Sequence, residues 1–195
     1  MGPPDTGLFR AINQWPQSLG PTMRFFSEAI NYPSAKVLLG VLLLGLLAAN
    51  ERTRRTAVQA LLAFLIANGM TDLFKTFRPE HRPYQELHEH LNLWVGTVPS
   101  FGTASAHAAN MAAIAFVFVY HLKWRGSPWV AIALIVGISR VFCGAHYPHQ
   151  VLLGWVCGLI AGFVVTRGWE FFTDGRLKDK EPRSQGTRDS GPEGP

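Results

Sequence analysis

Apolar positions in this chain fall in long runs divided by short polar blocks, with no alternation of period two. Ser34 to Asn50 (SAKVLLGVLLLGLLAAN) carries one charge, Lys36, near its start, and Thr56 to Phe74 (TAVQALLAFLIANGMTDLF) carries one, Asp72, near its end. Ala104 to Leu122, Pro128 to Phe142 and Val151 to Phe172 make three more. Such runs approach or reach the ~20 apolar residues needed to cross a bilayer. Only a helix satisfies its own backbone there in a single segment. The pattern therefore predicts an all-α polytopic membrane bundle with five strong transmembrane helices. A soluble helical bundle with unusually apolar helices is the competing reading, and five runs between residues 34 and 172 weigh against it.

The flanks differ from this middle. Residues 1–33 scatter Trp15, Pro16, Pro21, Arg24, Glu28 and Pro33 among apolar positions. They read as short amphipathic helices in the membrane interface or as a weak sixth span. No basic stretch followed by an apolar one opens the chain, so a cleaved signal peptide is not expected. Residues 173–195 are rich in charge, Gly, Pro and Ser and read as a disordered cytoplasmic tail. One transmembrane domain, residues 34–172, lies between.

Charge then sets an expected orientation. The formal net charge is +5, but the basic residues form neither one polar face nor a nucleic-acid motif, so nucleic acid is not an expected partner. Arg52, Arg54 and Arg55, then Lys123 and Arg125, then Arg167, Arg176, Lys178 and Lys180 occupy connections on one side of the predicted bundle. An excess of Lys and Arg marks that side as cytoplasmic. Residues 75–103 and the turn 143–150 then face outward. Cys143 and Cys157 show neither metal nor redox spacing and read as packing residues.

The candidate chemistry collects on that outer side. Lys75, Arg78, His81 and Arg82 follow a span end in FKTFRPEHRPY; Ser105 and His107 open a helix in GTASAHAAN; Ser139, Arg140, His146 and His149 lie in SRVFCGAHYPHQ. Isolated cations at this depth are commonly headgroup anchors. Three cationic clusters meeting histidines suggest an anion site instead. Lys75, Arg82 and Arg140 supply the charge and donors a phosphate needs, and Ser105 with the free amides of its helix start would add more. Two histidines beside a phosphate suggest a nucleophile and a proton donor. A metal site on His81, His107, His146 and His149 is the competing reading, disfavoured by the surrounding cations and the lack of a compact ligand set.

These residues resemble the type 2 phosphatidic acid phosphatase superfamily. The family pattern KxxxxxxRP, SxH, SRxxxxxH is matched by Lys75 to Arg82-Pro83, Ser105-Ala106-His107, and Ser139-Arg140 to His146. The resemblance implies that Lys75, Arg82 and Arg140 bind phosphoryl oxygens with help from Ser105. It implies that His146 attacks phosphorus to form a phosphohistidine, that His107 protonates the leaving group, and that no cofactor or metal is required. Two departures stand out. The usual PSGH reads Ala104-Ser105-Ala106-His107, with Pro99 and Gly102 nearby as possible compensation, and Gln150 replaces the aspartate that orients the nucleophile. A glutamine carbonyl can accept the imidazole proton but supplies no charge. His149, Glu80 and Glu86 are alternative partners for that ring.

The expected function is a lipid phosphatase in a bacterial inner membrane, its site facing the periplasm or exterior and its partners the bilayer and a lipid phosphate or diphosphate. Undecaprenyl diphosphate and phosphatidylglycerophosphate are candidate substrates. A lipid phosphotransferase would use the same residues, and a catalytically impaired phospholipid-binding protein is the reading that Gln150 favours. Sequence leaves the oligomeric state open.

Overall fold

The computed structural model describes residues 5–87 and 91–178, and all regular structure among them is helical. In chain order the helices are α1 (Thr6–Asn13), α2 (Gly20–Glu28), α3 (Pro33–Ala48), α4 (Glu51–Phe77), α5 (Pro83–Glu86), α6 (Ala106–Leu122), α7 (Ser127–Phe142) and α8 (Pro148–Lys178). Helix α8 continues past the expected domain edge at residue 172, and the tail beyond residue 178 lies outside the described residues.

Among the described residues, three helical stretches are long and apolar enough to cross a bilayer: Glu51–Phe77, Ala106–Phe142 and Pro148–Thr173. A fourth forms if Gln17–Asn31 and Pro33–Ala48, which meet at 63°, are one bent span. Length and composition therefore support three or four spans where the sequence pattern suggested five. The third and fourth apolar runs share the stretch Ala106–Phe142, broken by a 3-10 turn at Lys123–Gly126, and its parts α6 and α7 pack on each other. The first run forms α3, only 16 residues long, with no buried residue.

Small residues hold the centre together. Gly154, Gly158 and Gly162 form a stripe on α8, and a side chain added at Gly158 would lie 2.2 Å from the Ala109 carbonyl oxygen of α6. Ala109, Ala113, Ala63, Ala67 and Ala161 complete this interior with Val117 and Cys157. Close backbone approach is how membrane helices gain packing energy where lipid removes the hydrophobic drive. The bulky apolar residues point outward instead: Leu152, Val156, Ile160 and Phe163 on α8 are each about half exposed or more, as a lipid-facing surface requires.

The N-terminal helices are built into the bundle. Buried Asn13 donates from Nδ2 to the carbonyls of Phe142 (2.7 Å) and Asn92 (2.8 Å). Both α1 and α2 pack against α7. At the opposite end of the bundle the basic connections meet: Arg52 donates to the His121 carbonyl at 2.6 Å, and the Arg55 guanidinium lies over Trp169, 5.8 Å from the ring centre.

Candidate active site

Each polar cluster is delivered by a helix end. Helix α4 stops at Phe77, and Pro79 and Pro83 prevent its continuation. The chain then turns so that Arg82 precedes α5, its backbone N–H donating to Gln85 Oε1 at 2.8 Å. Thr103 staples this turn to the strand of loop before α6, donating to the Arg78 carbonyl at 2.6 Å and accepting from the Glu80 amide at 3.1 Å. After α7, the Ala145 and His146 amides both donate back to the Arg140 carbonyl, at 3.0 and 3.2 Å. That tight turn brings His146 beside the start of α6.

Five of the residues expected from sequence, Lys75, Arg82, His107, Arg140 and His146, line one cavity of about 400 Å³. Its size falls in the usual range of ligand pockets. A larger groove, about 530 Å³, runs between α6, α7 and α8, but its lining is almost wholly apolar and contains none of these groups. The polar cavity is therefore the one with chemistry to offer.

His146 is 2% exposed and held through both ring nitrogens. Nδ1 faces the Gly102 carbonyl at 3.1 Å and Gln150 Oε1 at 3.2 Å, while Nε2 faces Arg82 Nη1 at 3.0 Å. The first two are acceptors and the third is a donor, so the proton sits on Nδ1 and a lone pair on Nε2. Burial, then the charges of Arg82 and Arg140, hold the His146 pKa well below the ordinary imidazole value. The ring is neutral at pH 7.

Gln150 itself is fully buried and its amide has one sensible orientation. Nε2 donates to the His81 carbonyl at 3.0 Å, and Oε1 accepts from the Tyr147 amide at 3.2 Å as well as from His146. None of the alternative partners suggested by sequence reaches His146. His149 is occupied by Asp5 Oδ1 (2.8 Å) and Glu80 Oε2 (2.9 Å), and Glu86 accepts from the Tyr147 hydroxyl at 2.8 Å. The second partner of the nucleophile candidate is instead a backbone carbonyl, that of Gly102. A side chain at Gly102 would meet Arg82 Cγ at 2.7 Å and Gln150 Oε1 at 2.8 Å. Only glycine lets the loop approach this closely.

The cations are in different states. Arg82 directs Nε to the Ser100 carbonyl, Nη2 to Ser100 Oγ and the Phe101 carbonyl, and Nη1 to the Ala145 carbonyl and His146. Those contacts occupy all five of its N–H donors. Lys75 pairs with Asp72 at 2.9 Å. Arg140 is anchored by one nitrogen only: Nη1 donates to Ser27 Oγ (2.6 Å) and the Ser27 carbonyl (2.9 Å). Arg140 Nε and His107 Nε2 are buried without a protein partner. Unsatisfied buried polar atoms are rare in folded proteins; these two belong to residues of one cavity wall, whereas Arg55 Nε, Gln59 Nε2 and Asn110 Oδ1 lie on residues outside its lining.

Ser105 stands apart from these residues. It caps α6, accepting from the Ala108 amide at 3.5 Å, is fully buried, and does not line the cavity. Conversely, Ser27, Glu28 and Asn31 belong to the site region but are not among the site residues expected from sequence, because nothing in the broken N-terminal pattern marks them as such. Their only visible signal was polarity within an otherwise apolar flank.

Comparison with known proteins gives a consistent assignment. The model of the PAP2 superfamily matches residues 56–174, which include every one of the seven expected site residues. The chain is similar to the bacitracin transport permease protein BcrC of Bacillus licheniformis, 28% identical over 80% of this chain and 76% of that protein. It is also similar to the putative undecaprenyl-diphosphatase YbjG of Escherichia coli K12, 30% identical over 78% of this chain and 76% of YbjG. Among solved structures, LpxE of Aquifex aeolicus shares the fold with a TM-score of 0.71 and 24% identity, covering 85% of this chain and 96% of LpxE. With the family match spanning more than half of its length, the chain belongs to the PAP2 superfamily.

Proposed function

We propose that this protein is an integral membrane phosphatase that hydrolyses a lipid phosphate or diphosphate through a phosphohistidine on His146. Undecaprenyl diphosphate, suggested by the likeness to YbjG, and phosphatidylglycerophosphate are the substrates to try first. The observation that carries this reading is the grouping, on one cavity, of an unprotonated His146 Nε2 with the unpartnered His107 Nε2 and Arg140 Nε.

In this mechanism the phosphoryl group enters between Lys75, Arg82 and Arg140. Arg82 Nη1 passes from His146 Nε2 to a phosphoryl oxygen, which frees the lone pair. Nε2 then attacks phosphorus as the bond to the leaving oxygen breaks, and His107 Nε2 delivers the proton to that oxygen. Water next attacks the phosphohistidine, giving up a proton to His107 and releasing inorganic phosphate. Fixed cations around the transferring group supply the main electrostatic contribution. The task is large, since phosphate monoester hydrolysis can require up to ~10²¹-fold acceleration.

We read the bundle as crossing the bilayer five times, with α6 and α7 each a span and the bent N-terminal pair providing another. The basic end of the bundle faces the cytoplasm and the cavity faces the exterior of a bacterial inner membrane, following the distribution of Lys and Arg.

Two measurements test the catalytic reading. Detergent-solubilised protein with excess chelator is expected to release phosphate from at least one of undecaprenyl diphosphate, phosphatidylglycerophosphate or phosphatidate. Release no faster than buffer from all three would overturn it. The second is the acid limb of kcat/KM, corrected for the substrate's own ionisation near pH ~6. Protonation of His146 removes the attacking lone pair, and its lowered pKa moves that event to more acid pH. Activity should therefore persist as pH falls through ~6.5, where an ordinary histidine is half protonated. A limb centred at or above that value contradicts the assignment of His146.

A further inference from the structure

The catalytic cavity, about 400 Å³, is much larger than one phosphoryl group, and its lining mixes cations with a carboxylate. Among the described residues, Lys75, Arg82 and Arg140 are the only Lys or Arg in its lining, with Arg82 Nη1 3.0 Å from His146 Nε2. The remaining ionisable or amide side chains in the lining are Glu28, Asn31 and Tyr84. A carboxylate on the wall of a phosphate site is an unexpected group. Fixed negative charge weakens the binding of an anion unless it serves another part of the ligand.

Glu28 cannot easily turn away. Its Oε2 accepts from Arg24 Nε at 3.2 Å and its Oε1 from the Gly96 amide at 3.4 Å, leaving the side chain 17% exposed. The residue before it, Ser27, is the anchor of Arg140. The last turn of α2 thus places a phosphate-binding cation and a carboxylate together, just before the bend into α3. Each oxygen of that carboxylate keeps acceptor capacity after these contacts.

We propose that Glu28 selects the leaving group: the site prefers a phosphate monoester of a lipid alcohol bearing free hydroxyls over a lipid diphosphate. This rests on the phosphatase reading above and departs from the diphosphate in YbjG's name. A second phosphate would find no further Lys or Arg in the lining and would meet a carboxylate on a partly desolvated wall, where like charges repel strongly. A hydroxyl in the same place donates a charge-assisted hydrogen bond to Glu28, and the Asn31 amide can both donate and accept.

The test compares kcat/KM for phosphatidylglycerophosphate, whose leaving group carries a glycerol hydroxyl, with that for undecaprenyl diphosphate. The wild-type protein is expected to favour the monoester at least tenfold, and Glu28→Gln, which keeps the shape and the Gly96 acceptor, to shift the ratio about tenfold toward the diphosphate. Arg24→Ala, which leaves the Glu28 charge less compensated, should move the ratio the other way. A wild-type preference for the diphosphate, or a Glu28→Gln ratio within twofold of wild type, overturns the inference. If wild type releases no phosphate from any lipid phosphate tested, it is the phosphatase reading that fails. Should Glu28→Gln not fold, the Arg24→Ala ratio decides, and no shift toward the monoester counts against Glu28.

Discussion

Replacing His146 by alanine is expected to lower phosphate release by at least ~10³-fold in kcat/KM; loss of the covalent nucleophile of a serine protease costs ~10⁶-fold and leaves only binding and electrostatics. The change also strips partners from Arg82 Nη1, the Gly102 carbonyl and Gln150 Oε1, so thermal unfolding and gel filtration must accompany the assay. Leaving-group chemistry separates loss of the nucleophile from general damage. In kcat/KM, which reports phosphorylation of His146 and not the later hydrolysis, His107→Ala removes only the proton donor, so its defect should shrink on nitrophenyl phosphate, whose leaving group needs little protonation. The His146→Ala defect should stay the same on both substrates. Equal phosphate release by wild type and His146→Ala would refute the covalent mechanism.

Much of this site was legible because its parts lie at helix ends, where apolar runs give way to charge. Lys75 in the last turn of α4, His107 at the start of α6 and Arg140 at the end of α7 are each marked by that transition, and the structure gathers all three on one cavity. What the sequence concealed depends on contacts between distant segments. Ser27 reaches Arg140 across 113 positions, and Gly102 supplies a backbone carbonyl that no side-chain pattern records. Ser105 illustrates the converse difficulty: a serine at a helix start has the same sequence signature whether it binds a ligand or caps the helix, and here it caps. Span number is likewise only partly written in apolar length. An apolar run reveals that a segment can be buried in lipid, but the short α3 and the turn joining α6 to α7 are set by packing and chain reversal.

Gln150 is where sequence comparison and structure give different expectations. Restoring the family aspartate returns a missing charge, yet Gln150→Asp is expected to reduce kcat about tenfold to a hundredfold. The surroundings of Gln150 require one acceptor, for the Tyr147 amide and His146 Nδ1, and one donor, for the His81 carbonyl. An amide meets both needs and a carboxylate meets only the first. Aspartate is also shorter by a methylene, which draws its oxygens about 1.5 Å back from the imidazole. Gln150→Glu restores the reach but sets an unprotonated oxygen against the His81 carbonyl at the position where Nε2 stood, 3.0 Å away. An unsatisfied buried polar group costs ~1–3 kcal/mol, enough to account for a loss of this size if it disturbs the ring. Gln150→Leu should lose about a hundredfold, less than His146→Ala, because the Gly102 carbonyl still holds the Nδ1 proton. In all three variants kcat should fall while competitive inhibition by inorganic phosphate is kept, since Gln150 orients the nucleophile and does not line the phosphate cavity. A gain in kcat for Gln150→Asp or Gln150→Glu would show that the absent charge, rather than the amide's paired contacts, limits this protein.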